Sequence, residues 1–317
     1  MRIVADAYIP FLKGLLDDVA DVVYLSPDAI DADAIKEADA LIIRTRTKCN
    51  ADLLKGSNVR FIATATIGYD HIDTNYCAHS GITWTNCPGC NANSVVNYMY
   101  AVLTTLFPEG LSAKKLGIVG VGNVGSRVAK MAHNWGMTVL LNDPPRAKNE
   151  PNIPFLPLSE LQQQCDIITF HVPLASDTYH MVNADFLRNC TRTPLIINAA
   201  RGEVCDTQAL LDYTGNVVLD CWENEPNISL PLLDKVLIGT PHIAGYSVDG
   251  KANGTRMAAA ALCRFFDIKK EINITIPGKK GIAYCVQAES DALKAHPELF
   301  ESFRNNYPLR RDNLVFD

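Results

Sequence analysis

Short apolar runs rich in β-branched and aromatic residues recur along the first ninety residues, as "RIVADA", "VVYLS", "ALIIRT", "RFIATAT" and "GITWTN", each separated from the next by a stretch of helical length. That alternation predicts a parallel, doubly wound sheet. Residues 91–106, "NANSVVNYMYAVLTTL", then predict a long and mostly apolar helix, ended by Pro108 and Gly110, that bridges into a second unit. This unit opens with "KKLGIVGVGNVGSRVAKMAHNWGMTVLLNDPP", read as strand, glycine turn, helix and strand. It continues with "CDIITFHVPL", "PLIINAARGE", "NVVLDCW" and "VLIGTPHIAGY", four more strand-plus-loop units. A helix is expected at 251–267, after which "KKEINITIPGKKG" looks like a connector and "SDALKAHPELFESFRNNYPLRRD" is polar, charged and helical in part. The fold class expected is therefore α/β, with two doubly wound parallel-sheet lobes. The first spans 1–92, a nucleotide-binding one spans 93–250, the helix 251–267 returns to the first lobe, and 268–317 is a short segment too small for its own core.

Composition narrows the partners. A chain of 317 residues, 48% of them apolar, has the length for two or three cores. Lys+Arg number 29 against 35 Asp+Glu, a net charge of −6, so no general attraction to nucleic acid or an anionic membrane is expected. Any bound anion must be held by a local cluster. No apolar run reaches the roughly 18 residues of a membrane span, and "MRIVADAYIPFLKG" has no basic segment followed by a long apolar one, so a cytoplasmic location is expected. The ten cysteines are irregularly spaced, which suits reduced, buried thiols. Cys87 and Cys90 form the one CxxC pair. Without a second pair of ligands "CPGC" reads as a turn set by Pro88 and Gly89, and no metal site is expected.

Three kinds of chemistry stand out. In "LIIRTRTK" the cations Arg44, Arg46 and Lys48 alternate behind an apolar strand, and extended backbone would set all three on one side, either as a solvated loop or as an anion site. Gly120, Gly122 and Gly125, with Asn123 and Val124 among them, form GxGxxG between an apolar run and a helical segment. This is the pattern that brings backbone and a helix N-terminus to a pyrophosphate. Asp143 ends the next predicted strand, where a carboxylate accepts ribose hydroxyls and repels a 2′-phosphate; that favours NAD over NADP, although Arg146 lies close by. Finally, Arg201, Glu225 and His242 fall in strand-end loops. They supply a fork for a carboxylate, a partner for an imidazole, and a side chain that exchanges protons near neutrality. Each alone has an ordinary structural reading as a surface ion pair or a loop histidine; the set points to oxidation of a 2-hydroxy acid.

In that order, GxGxxG with Asp143, "NAARG", "WENEP" and "PHIAGY" resemble the D-2-hydroxyacid dehydrogenase family. "ATATIGYDHID", "PGCNA", "DPPRA", "DIITFHVPL" and "HIAGYSVDGKANGT" are similar to the branch that oxidises a four-carbon 2-hydroxy acid carrying a phosphate at C4, a step toward pyridoxal phosphate. The resemblance implies a flavodoxin-like substrate lobe, a Rossmann lobe and NAD as cofactor. It implies that Arg201 and Glu225 are active-site residues and His242 the proton carrier, and that Thr45, Thr66 and Tyr246 contact substrate. Asp143, Val172 through its backbone, Ala199, Ala200, Arg201, Asp220 and Gly245 would line the cofactor beside the glycine loop. A homodimer is implied too, here with a C-terminal segment shorter than the family's usual dimerisation region. Since Arg201 accounts for the substrate carboxylate, Arg44 and Arg46, with Lys48, are assigned to the phosphate. The alternatives are another 2-hydroxy acid of the glycerate or phosphoglycerate type, and a nicotinamide-binding regulatory protein on the same scaffold.

Overall fold

The computed structural model describes residues 1–276, 284–308 and 310–316. The strands β1 (Arg2–Asp6), β2 (Asp21–Leu25), β3 (Ala40–Ile43), β4 (Phe61–Thr64) and β5 (Thr83–Thr85) form a parallel sheet in the order β2-β1-β3-β4-β5. Its central strands are apolar along most of their length because both faces are covered. Ile3, Ala5, Ala40, Ile42, Phe61 and Ala63 face one core, and the intervening Val4, Leu41, Ile43 and Ile62 face another. The helix Val248–Phe265 supplies Ala258, Ala259, Leu262 and Cys263 to the first of these cores. Met1–Asn91 and the described residues of Ser247–Lys279 accordingly form one compact unit. The helix begins three residues before its expected start because the Ser247 hydroxyl accepts from the Gly250 N–H at 2.9 Å, capping its first turn.

The second unit contains β6 (Lys115–Val119), β7 (Thr138–Asn142), β8 (Ile167–Phe170), β9 (Leu195–Asn198), β10 (Val217–Leu219) and β11 (Ile238–Gly239), parallel and ordered β11-β10-β9-β8-β6-β7. A single parallel bridge from Phe155 to Leu141 adds the rudiment of one more strand outside β7. Alternation recurs: Leu116, Ile118, Ile167, Ile197 and Val218 face one core, and Val119, Ile168, Phe170, Ile196 and Leu219 the other. The winding direction reverses between β6 and β8, and the carboxyl ends of strands at such a switch point are where open α/β sheets take ligands.

Described residues beyond 283 belong to this second unit. Leu293 and Phe300 enter the core that holds Trp222. Polar positions of the helix Ala92–Leu106 clamp the chain's last described turns. The Asn97 side-chain oxygen accepts from the Asn313 and Leu314 N–H groups at 3.0 and 2.9 Å, and the Asn93 side chain accepts from the Phe316 N–H at 3.0 Å. No helix among the described residues is long and apolar enough to cross a membrane.

Candidate active site

At the end of β6 the glycine turn is sterically exacting. Gly120 has φ +84°, and a Cβ there would lie 2.8 Å from the His171 carbonyl, while a Cβ on Gly125 would lie 2.0 Å from the Gly120 oxygen. Nothing lies within 4 Å of a Cβ on Gly122, the residue that caps the helix Asn123–Asn134, so space stays open in front of the helix N-terminus. A closed turn, an open middle position and a positive helix end fit a dinucleotide pyrophosphate. Asp143 closes the same corner. One carboxylate oxygen accepts from the Val121 N–H at 2.9 Å and the other from the Arg146 N–H at 3.0 Å. Arg146 is held by Glu150, donating from Nε at 2.7 Å and from Nη2 at 2.5 Å, and its Nη1 donates to the Val121 carbonyl of the same corner.

The next loop begins with His171, whose Nε2 lies 3.1 Å from the Thr169 hydroxyl and whose imidazole burial pushes down to about 4. The unfolded chain takes up this proton near pH 6.5 while the folded one resists it. The unfolded state therefore binds this proton more readily across that window, and His171 contributes stability that rises with pH from about 4 to 6.5. We expect urea midpoints to climb over this range and His171→Asn to flatten the climb; an unchanged slope in the variant would show that His171 titrates alike in both states.

Three further strand ends carry the reactive groups. After β9, the buried Asn198 shapes the loop: its amide donates to the Arg201 carbonyl at 2.7 Å and its oxygen accepts from the Ala200 N–H at 3.0 Å. After β10, the Asp220 carboxylate is buried and spanned by the loop that follows β11. It accepts from the Thr240 hydroxyl at 2.7 Å and from the Ile243 and Ala244 N–H groups at 2.8 and 2.9 Å. Burial raises its proton affinity above the usual carboxylate range, and the neighbouring His242 opposes this. The His242 N–H donates to the Asp220 carbonyl at 2.8 Å, fixing a residue that stands at φ +55°. His242 Nδ1 lies 2.7 Å from Glu225 Oε1, with the two side chains 23% and 20% exposed. A carboxylate on Nδ1 selects the tautomer that leaves Nε2 as the proton acceptor. Arg201, Glu225 and His242 thus follow three neighbouring strands, β9, β10 and β11.

Residues 99–244 match the family model described as D-isomer specific 2-hydroxyacid dehydrogenase, NAD binding domain. The whole chain is 48% identical to erythronate-4-phosphate dehydrogenase of Bacteroides thetaiotaomicron, covering 99% of it, and 44% identical to that of Porphyromonas gingivalis, covering 95%. The chain belongs to the erythronate-4-phosphate dehydrogenase family. It shares its fold with two solved structures: NAD+-bound 3-phosphoglycerate dehydrogenase of Entamoeba histolytica (25% identity, TM-score 0.69, 86% of this chain and 99% of that one) and Aquifex aeolicus D-lactate dehydrogenase with NAD and lactic acid (24%, 0.71, 88% and 100%).

For a chain of the erythronate-4-phosphate dehydrogenase family, the first unit departs from the sequence reading at "LIIRTRTK". The strand stops at Ile43, and a turn closed by the Thr47 N–H donating to the Arg44 carbonyl at 3.2 Å replaces the extended row of cations. Thr47 is buried, whereas Thr45, Arg46 and Lys48 are exposed. Arg44 turns inward because β1 lies beside β3 and ends in Asp6, whose carboxylate is fully buried. Arg44 Nε donates to it at 2.8 Å and Nη2 at 3.3 Å. Thr66 ends a chain of polar contacts, 2.6 Å from the Thr64 hydroxyl, which lies 3.1 Å from His71 Nε2; Thr66 itself donates to the Gly68 carbonyl at 2.9 Å.

Sequence reasoning passed over Lys251, on the second turn of the helix Val248–Phe265, where burial and the like charge of Arg44 hold its ammonium below the usual range. It also passed over a second imidazole–carboxylate pair. His180 Nε2 lies 2.6 Å from Glu223 Oε1, and the other Glu223 oxygen accepts from the Thr207 N–H at 2.8 Å. Glu223 stands in the quoted "WENEP", but nothing in the spacing marks His180 as its partner. Among the expected cofactor contacts, Val172, Ala199 and Gly245 follow β8, β9 and β11, while the Asp220 carboxylate is directed into the β11 loop.

Proposed function

We propose that this protein oxidises 4-phospho-D-erythronate at C2 to 2-oxo-3-hydroxy-4-phosphobutanoate, with NAD as acceptor. The observation that carries the reading is the Glu225–His242 pair at 2.7 Å, set on strand ends of a domain of the NAD-binding type. NAD supplies the hydride acceptor. His242 Nε2 receives the proton of the C2 hydroxyl, and Glu225 holds the opposite ring nitrogen and stabilises the imidazolium that results. Arg201 offers a planar fork to the C1 carboxylate. Gly120, Gly122 and Gly125 with the N–H groups of Asn123 and Val124 take the pyrophosphate, and Asp143 takes the ribose.

Arg44 and Lys251 are the phosphate ligands in this reading, with Arg46. Half-buried Lys251 feels the like charge of Arg44, and a phosphate dianion placed beside the two would favour its charged form. Purified protein with NAD should turn over 4-phospho-D-erythronate with a far higher kcat/KM than D-glycerate or D-lactate; comparable values would sink the substrate assignment. Lys251→Ala should raise KM for the phosphorylated acid about tenfold or more, the worth of one charge-assisted hydrogen bond, with little effect on an unphosphorylated analogue. Arg44→Ala is the poorer test, because it strands the buried Asp6 carboxylate and destabilises the unit independently of substrate.

A further inference from the structure

The C-terminal segment, a shortened form of the dimerisation region that the family resemblance implied, brings a cation to the neighbourhood of Glu225 in its own chain. The helix Phe300–Asn305 is seated by Phe300, which is buried in the core with Trp222 and Ile228. Just beyond it the Tyr307 ring stands edge-on to Tyr246, with centroids 6.3 Å apart. Arg304 lies between these anchors. Tyr246 and Glu225 both favour its charged form, and the nearest acid on its own helix, Glu301, is 3.7 Å away. Two complementary atoms are buried here without a hydrogen-bond partner, Nε of Arg304 and Oε2 of Glu225. Glu225 spends its other oxygen on His242, so its buried Oε2 calls for a donor or a cation from the surrounding chain.

We infer that Arg304 is a positioning residue of the active site, keeping Glu225 charged against His242 and fixing Tyr246, and that the C-terminal segment completes the catalytic centre. The inference rests on the dehydrogenase reading above but not on its choice of substrate. Besides Arg304, the titratable and charged groups around the pair are Asp220 on the His242 side, Cys221 and Arg201 at the end of β10, and Tyr246.

The test compares wild type, Arg304→Met and Arg304→Lys on whichever 2-hydroxy acid the wild type oxidises best. If that acid is not 4-phospho-D-erythronate, the substrate reading fails and this comparison still stands. Arg304→Met is expected to lower kcat/KM about 10- to 100-fold, as loss of a charged hydrogen bond does, with NADH affinity by fluorescence unchanged. The acid limb of its pH profile should move to higher pH, since removing a cation favours protonation of the pair. Arg304→Lys should restore part of the loss, and Tyr246→Phe combined with Arg304→Met should cost less than the two separately. Wild-type kinetics in Arg304→Met would overturn the inference. So would a loss that is equal in both variants, tracks a lower Tm and leaves the pH profile in place.

Discussion

His242→Ala is expected to lose about 10²- to 10⁴-fold in kcat, the usual contribution of a positioned acid–base group, while binding NADH as the wild type does. The separation of the two effects follows from the architecture. The glycine turn, the helix it opens and Asp143 are at the ends of β6 and β7, whereas His242 follows β11 at the far side of the sheet. Removing the imidazole therefore deletes the proton acceptor without touching the pyrophosphate cradle. Glu225→Gln should show a smaller loss, because a carboxamide oxygen still accepts from Nδ1–H but carries no charge to stabilise the imidazolium. Steady-state oxidation assays with a fluorescence titration of NADH on each variant measure both quantities. Full turnover by His242→Ala would remove His242 from the mechanism, and joint loss of turnover and NADH affinity would mean that the loop after β11 also shapes the cofactor site.

The parts of this architecture that were legible in the sequence are those encoded locally. A strand buried on both faces announces itself as an unbroken apolar run, as "ALII" and "LIIN" do, and the glycine turn is legible because sterics forbid a side chain at Gly120 and Gly125. Strand-end loops carrying Arg201, Glu225 and His242 could be singled out because each follows such a run. What was not legible depends on which strands become neighbours. Asp6 and Arg44 are 38 residues apart and meet because β1 and β3 pair, so alternation along "RTRTK" suggested a row where pairing produces a turn. Lys251 comes under the charge of Arg44 only once the helix Val248–Phe265 returns to the first unit, and the charged C-terminal stretch gave no sign that Arg304 would act on Glu225. Asp220 shows the same limit from another side. The family resemblance implied a contact with the cofactor, and the three donors that residues 240 to 244 bring to its carboxylate become visible only when β10 and β11 are side by side.

Those three donors make Asp220→Ala the largest stability effect expected in this chain. The substitution leaves the N–H groups of Ile243 and Ala244 and the Thr240 hydroxyl without their acceptor in a site that water does not reach, and each orphaned buried donor costs roughly 1–3 kcal/mol. Allowing for partial relaxation, and for the Tyr98 hydroxyl 2.7 Å from Thr240 as a substitute partner, the loss should be about 3–5 kcal/mol. A drop in Tm of about 10 °C corresponds to that figure for a unit of this size. Asp220→Asn should not rescue it, because the amide can present only one oxygen and sets an N–H₂ group against backbone donors that need an acceptor. Both variants should also lose turnover below their melting temperatures, since the loop they loosen holds His242 in its left-handed conformation against Glu225. Thermal melts with oxidation assays on the two variants separate the possibilities. Wild-type stability with reduced NADH affinity would make Asp220 a cofactor contact instead, whereas low stability with low kcat and retained NADH affinity makes it the strut on which the catalytic loop is built.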